Sequence, residues 1–133
     1  MISLDLARSL RTAGLTWSPA SGDWFVIDMP ELREQSFVLS DLTVDLQHLG
    51  GEPVLAFNGT VEWALDSVTV EQAVWLPHEE QLRTALGPAF QRLERADEGI
   101  WRAVLQIDGS AIEFADGDPA TAYGRALLHV LTR

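Results

Sequence analysis

Residues 100–131 decide the fold class: Ile100-Trp-Arg-Ala-Val-Leu-Gln-Ile, Asp108-Gly-Ser-Ala-Ile-Glu-Phe, Ala115-Asp-Gly, then Asp118-Pro-Ala-Thr-Ala-Tyr-Gly-Arg-Ala-Leu-Leu-His-Val-Leu. Two β-prone runs flank Asp108-Gly109, a dipeptide that favours a two-residue hairpin turn. Asp118 then supplies a helix N-cap and Pro119 the first helical residue. Apolar residues follow at helical spacing as far as Leu131. This segment predicts an antiparallel hairpin followed by a helix.

The N-terminal segment predicts another helix. Ser3 is a plausible N-cap, and Leu6, Ala7 and Leu10 begin an apolar stripe that runs to residue 13. Gly14 suits the left-handed position after a helix end, where residue 15 folds back on Leu10.

Between these two segments the pattern is mainly β. Leu42, Val44 and Leu46 alternate with polar residues, which is typical of a half-buried antiparallel strand. Similar runs predict strands at 24–28, 36–39, 53–57 and 61–66, which would form a meander of four or five strands with turns at 50–51 and 58–59. A short buried strand is predicted to follow at 74–76. Segment 68–73 is ambiguous between a helical turn and a loop.

A second helix is predicted to begin at Pro77 and to end at Gly87-Pro88, with a further strand from Phe90. The order is therefore α, four or five β, α, three β, α. We expect an α+β fold, antiparallel sheets covered by helices, in a single domain spanning residues 1–133.

Composition excludes several function classes. The 133 residues contain no cysteine and no lysine, since all nine bases are arginine. Disulfides, thiolate chemistry, Schiff-base chemistry and a phosphate loop of the GxxxxGK[ST] form are therefore ruled out. No apolar run reaches the ~18 residues of a membrane helix, and the N-terminus does not resemble a secretory signal, so we expect a cytoplasmic protein with no membrane contact.

Charge is the most unusual feature, with a net value of −11. Residues 1–80 carry 13 acids and 3 arginines, whereas residues 81–133 carry 7 acids and 6 arginines. Phosphate backbones would repel such a chain, so nucleic-acid binding is disfavoured. The acidic half is either a surface that keeps the protein in solution or a face for a cationic partner or metal.

Two groups of carboxylates are candidate ligands. Asp41 and Asp45 share one face of a predicted strand, and Glu62 and Asp66 share a face of another. Four carboxylates would gather if these strands were neighbours, which is the oxygen-rich environment that Ca²⁺ or Mg²⁺ prefers. An ordinary solvated sheet face is the alternative, so we assign no metal site and expect no cofactor.

Two tryptophans are candidate partner contacts. Trp17 and Trp24 flank a turn-rich segment, 18–23, and are expected to be partly exposed, whereas Trp63 and Trp75 occupy core-like positions. Exposed tryptophan is a frequent interface anchor. The three histidines lack metal-ligand spacing, and no catalytic residue is assigned.

Four segments resemble a group of small proteins from high-GC bacteria, of actinobacterial type, that have no assigned activity. The segments lie at 2–17, 57–68, 74–77 with 80–83, and 122–131, and the resemblance extends over nearly the whole chain. Members are often labelled "pilus assembly protein CpaE", a name that belongs to a larger factor with a phosphate-loop ATPase domain. Because this chain has no lysine, the resemblance transfers no ATPase activity and no catalytic residue. It implies a bacterial, cytoplasmic, single-domain protein.

Three functional readings remain open. The first is a non-enzymatic protein-interaction module whose acidic face, residues 34–80, meets a cationic protein, for example an immunity-type protein that neutralises a basic toxin. The second is a domain that binds a small molecule or divalent metal through Asp41, Asp45, Glu62 and Asp66. The third is an enzyme with carboxylate acid–base chemistry.

Overall fold

The computed structural model describes residues 1–39, 44–49, 52–57, 67–69 and 71–133, and for the ranges between 44 and 69 it describes backbone and strand register only. Three α-helices, one short 3-10 helix and nine strands lie in these ranges. Their order is α1 (Leu4–Thr12), β1 (Trp24–Ile27), β2 (Ser36–Val38), β3 (Val44–Leu49), β4 (Glu52–Phe57), β5 (Ser67–Thr69), β6 (Ala73–Leu76), α2 (Glu79–Leu86), a 3-10 turn (Gly87–Ala89), β7 (Phe90–Asp97), β8 (Ile100–Ile107), β9 (Ser110–Asp116) and α3 (Pro119–Leu131).

The α+β prediction is confirmed. The described strands form three antiparallel sheets of three strands each, in the orders β2-β1-β6, β3-β4-β5 and β7-β8-β9. Six described strands, rather than four or five, precede α2, because Ser67–Thr69 adds a strand in a region where the sequence signal was ambiguous.

The chain divides into two compact units. The first unit joins residues 1–16 to residues 77–133, and the second unit comprises residues 17–76. We call residues 17–76 the acidic unit, and residues 1–16 together with 77–133 the flanking unit. The prediction of one domain over residues 1–133 stays a prediction.

In the flanking unit, β8 and β9 form the hairpin that the sequence predicts around Asp108-Gly109. Ile107 is paired with Ser110, and the two residues between them, Asp108 and Gly109, have φ values of 50° and 81°. Positive φ at both central positions is the geometry of the type I′ turn, which an Asp-Gly pair favours.

Helix α3 is the centre of this unit, since it contacts α1, α2, β8 and β9. Its apolar face buries Tyr123, Ala126 and Leu127. The Tyr123 ring lies 5.5 Å from the Phe90 ring, and the His129 ring lies 5.4 Å from the Phe114 ring. The helix therefore covers one face of the β7-β8-β9 sheet.

The ends of α1 follow the sequence prediction. The Ser3 side chain accepts a hydrogen bond from the Leu6 N–H at 3.1 Å. At the other end Gly14 has φ of 113°, and the Leu15 N–H donates to the Leu10 carbonyl at 3.0 Å. This is the Schellman pattern, and it satisfies carbonyls that the helix end leaves without partners.

The predicted start of α2 was wrong by two residues. Pro77 is buried but lies before the helix, and His78 is the N-cap. The His78 N–H donates to Gln81 Oε1 at 2.8 Å, so a side chain three residues along closes the first turn. Gly87 ends the helix, as predicted.

The acidic unit is not a simple meander. β1 pairs with β2 on one side and with the distant β6 on the other, where Phe25 lies opposite Trp75 and Ile27 opposite Ala73. The predicted single meander was wrong, because β2 and β3 follow each other in the chain but belong to separate described sheets, β2-β1-β6 and β3-β4-β5.

Parts of the strand prediction lie outside the described residues. These are the turns at 50–51 and 58–59, the strand at 61–66 and its Trp63. β3 and β4 nevertheless pair antiparallel on either side of 50–51, with Leu49 opposite Glu52. Across the ranges that the structure describes, no helix is long and apolar enough to cross a membrane.

We predict that Gly124→Leu lowers the free energy of unfolding by about 1–3 kcal/mol, because α3 passes close to α1 at this position. A Cβ on Gly124 would lie 2.8 Å from Leu6 Cδ2 and 3.4 Å from Ile2 Cγ2. Urea denaturation measures the change. Leu6→Ala in the same chain should recover part of the loss, and Ser9→Leu on the exposed side of α1 should stay within about 0.5 kcal/mol of the parent.

We also predict an acid-sensitive contribution from the N-cap of α3. Partial burial raises the pKa of Asp118. The Thr121 hydroxyl, the Met1 amine and the Thr121 N–H lower it by more than burial raises it, so the pKa of Asp118 lies below its ordinary value. A depressed carboxyl pKa stabilises the fold above the unfolded-state pKa, and this stabilisation is lost as pH falls through the folded-state pKa.

Asp118→Ala should therefore cost about 1 kcal/mol at pH 7, the usual cost of losing a cap. Asp118→Asn keeps the cap, and the difference in unfolding free energy between it and the parent should shrink from pH 7 to pH 3. A difference that stays constant over this range would contradict the assignment, and exposed Asp97→Asn is the control.

Candidate functional site

The net charge of the protein is concentrated in one unit. Residues 17–76 hold ten acids and a single arginine, a net charge of −9. The flanking unit holds ten acids and eight arginines, a net charge of −2. Each unit therefore holds ten acids, and most of the net negative charge lies in the unit that has a single arginine.

In the flanking unit the arginines neutralise carboxylates locally. On one face of the β7-β8-β9 sheet, Glu94 accepts from Arg92 at 2.9 Å and from Arg102 at 3.1 Å, and Arg102 also lies 3.3 Å from Glu113. The hydrogen bond from Arg92, followed by that from Arg102, holds the pKa of Glu94 below its ordinary value. Opposite charges therefore cancel within the surface of this unit.

The acidic unit has no comparable supply of cations. Its one arginine, Arg33, donates to Asp28 at 2.9 Å. Both lie in or beside a turn at 29–35 that is closed by backbone hydrogen bonds and leads into β2. Two further acids on this turn, Glu31 and Glu34, are exposed, and no described cation pairs with them. Their charge is available to a partner.

A buried carboxylate fixes the segment that enters the acidic unit. Asp23 is only 5% exposed. Its Oδ2 atom accepts from Trp17 Nε1 at 2.8 Å and from the Ala20 N–H at 3.0 Å. Two hydrogen bonds to one charged oxygen compensate part of the cost of its burial and hold residues 17–23 as a closed turn.

Trp17 is therefore anchored rather than projecting. Its ring stacks on Trp75 with centroids 6.4 Å apart and packs against Phe25 at 5.7 Å. Phe37 extends the group, since its ring lies 5.7 Å from that of Phe25. Trp17 remains half-buried, as does Trp75, which had been expected in the core.

The indole of Trp75 carries an unusual polar atom. Its Nε1 is buried and has no hydrogen-bond acceptor among the described residues. A buried donor without an acceptor costs folding free energy, on the order of 1–3 kcal/mol. The stacking with Trp17 and the burial of apolar ring atoms offset this cost.

The second predicted contact residue, Trp24, lies on the other face of the sheet. It is half-buried at the start of β1, directly opposite Val38 of β2. Val38 is 37% exposed, one of the few large hydrophobic residues on the described surface. Directly opposite residues share a face, so Trp24 and Val38 form a small apolar patch beside the edge of the sheet.

The predicted carboxylate cluster is placed only in part. Asp45 lies in β3, opposite Ala56 of β4, whereas Asp41, Glu62 and Asp66 lie outside the described residues. The described part of the chain contains no group of three or more potential ligands that could hold a metal ion. The proposed grouping of the four carboxylates therefore stays a prediction.

Sequence reasoning included Glu34 in the predicted acidic face but missed Glu31, the buried Asp23 and the exposed Val38. The absence of bases after Arg33 was a signal for the acidic turn. Asp23 had only a turn-like context, and nothing in the sequence marks Val38 as exposed rather than core.

Comparison with known proteins adds no relative. No protein-family model, no curated protein and no solved structure matches the chain. The resemblance to the bacterial group stays a prediction.

We predict that Asp23→Ala destabilises the protein by about 2–3 kcal/mol, because it leaves two donors, Trp17 Nε1 and the Ala20 N–H, without an acceptor. Urea denaturation followed by tryptophan fluorescence measures both the stability and the environment of the indoles. Glu34→Ala, an exposed acid of the same unit, should change stability by less than about 0.5 kcal/mol. Equal effects of the two substitutions would show that Asp23 does not anchor the turn.

Proposed function

We propose that this protein is a non-enzymatic interaction module whose acidic unit binds a cationic protein partner. The observation that carries the proposal is the distribution of arginine: eight of nine lie in the flanking unit, which leaves residues 17–76 with a net charge of −9. The partner would supply the cations that the unit itself lacks.

Electrostatics supports this choice over a role in solubility alone. Acidic residues that only maintain solubility need not be separated from arginine, whereas a concentrated negative field attracts a cationic partner and accelerates association. The exposed residues Glu31 and Glu34 have no described cation paired with them.

The proposal extends the immunity-type hypothesis to a defined part of the chain. A small protein that neutralises a basic toxin needs a rigid acidic surface and fast association. The rigid element here is the β2-β1-β6 sheet, with its aromatic cluster and the Asp23 anchor. We place the protein and its partner in the cytoplasm, consistent with a chain that has no cysteine.

The first experiment is an affinity capture from lysate of the source organism at low and high salt, with mass-spectrometric identification of bound proteins. We expect one stoichiometric, basic protein that is lost at high salt. The association rate of the purified pair should then fall by at least about tenfold between 50 mM and 500 mM salt, because screening shortens the range of the attraction.

A matched pair of double variants locates the attraction. Glu31→Gln with Glu34→Gln removes two charges from the acidic unit and should slow association by roughly two- to fivefold. Asp97→Asn with Glu98→Gln removes two exposed charges from the flanking unit and should have little effect. Binding that is insensitive to salt, or equal effects of the two double variants, would refute the proposal.

A further inference from the structure

The free edges of a sheet expose unpaired backbone groups, and proteins usually protect them. The edge strands of the β7-β8-β9 sheet show two such protections. On β9, Arg125 Nη1 donates to the Ala115 carbonyl at 2.6 Å. On β7, pairing with β8 is interrupted by two register shifts, between Phe90 and Arg92 and between Arg95 and Asp97, which bend the edge.

Among the residues that the structure describes, the edge strand β2 of the acidic unit shows neither of these two protections. The Leu39 N–H, just past the strand, donates to the Asp23 carbonyl at 2.8 Å. Because hydrogen bonding alternates along an antiparallel pair, the backbone of Phe37 also faces β1, and the N–H and C=O groups of Ser36 and Val38 point away from it. Ser36 and Val38 are exposed, and no described strand pairs with their free side.

The other edge of the same sheet offers less room. On β6, Ala73, Val74 and Leu76 are buried, and their side chains alternate between the two faces of the strand. Of the two edges, β2 alone combines exposed alternate residues with backbone groups that face outward.

The surroundings of β2 match a cationic occupant. The strand follows the turn that carries Glu31 and Glu34, and the Trp24–Val38 patch lies on one of its faces. An extended segment placed along β2 would find backbone partners, an apolar contact and two carboxylates together. An acidic segment would be repelled by a unit with net charge −9.

We propose that the cationic partner docks by strand addition, laying an extended segment along the free edge of β2 as a fourth strand beside β2-β1-β6. This inference rests on the proposed function and specifies its binding mode. Main-chain hydrogen bonds to Ser36 and Val38 hold the segment, and arginine or lysine side chains near the carboxylates select it.

The test uses a nine-residue peptide of alternating arginine and valine as a probe, with a glutamate–valine peptide as the charge control. Two further arginine peptides carry N-methyl groups, one on every valine amide and one on every arginine amide. In strand addition only alternate residues of the peptide direct their N–H groups toward β2, so either the valine amides or the arginine amides form the hydrogen bonds. We therefore expect one N-methylated peptide to bind about tenfold more weakly than the unmodified peptide and the other to bind nearly as well.

Protein variants give an independent readout. Val38→Pro removes an outward-facing N–H while leaving the backbone of Phe37, which faces β1, unchanged, and it should weaken binding of the arginine peptide by about tenfold. Val38→Thr keeps the N–H and nearly the same shape, and should bind within about twofold of the parent. Because the N-methylated peptides are tested on the parent protein, the result does not depend on Val38→Pro folding.

The outcomes separate this inference from the proposed function. If the arginine peptide binds in a salt-sensitive manner but neither N-methylation nor Val38→Pro weakens it, strand addition is wrong while the acidic unit remains the binding surface. If the parent protein does not bind the arginine peptide at low salt, or binds the glutamate peptide equally well, both proposals fail.

Discussion

The pairing of β1 with β6 is the constraint on which the acidic unit depends. Residues 27 and 73 are brought together across 46 positions of sequence, and Phe25, Ile27 and Val74 in these strands are fully buried. Closing so long a segment costs conformational entropy, but the cost rises only slowly with length, by about 0.6 kcal/mol per doubling. Burial of the two strands offsets this cost. The segment between β1 and β6 can then contain a second sheet and many acids that take no part in this pairing.

The strand pair also explains the polar chemistry around it. Asp23 lies one residue before β1, where the chain enters the unit, and its carboxylate collects the donors of Trp17 and Ala20. Trp17 thereby comes to stack on Trp75 of β6. A buried charge is tolerated because it is hydrogen-bonded, whereas the indole N–H of Trp75, which has no acceptor among the described residues, is a cost that the aromatic cluster has to offset.

Charged side chains are paired differently in the two units. On the sheet of the flanking unit, Arg92 and Arg102 lie close to Glu94 and Glu113, so that opposite charges are paired there. In the acidic unit the single arginine pairs with Asp28, and the sequence of the unit supplies no second arginine and no lysine for its other acids. Repulsion among the carboxylates of this unit destabilises a compact state. Binding of a cationic partner would reduce this repulsion.

The sequence by itself determined the local features: the caps of α1 and α3, the end of α2, the Asp108-Gly109 turn and the α+β class. Each depends on residues within a few positions of one another, so propensity and spacing are sufficient. The separation of charge was also visible in the sequence, although not the unit that holds it. Only the tertiary structure decided that β1 pairs with β6, that Asp23 anchors Trp17, and that Val38 and the backbone edge of β2 face outward. These properties depend on which distant segments meet, and the same apolar pattern in β2 suits a buried strand or an open edge equally well.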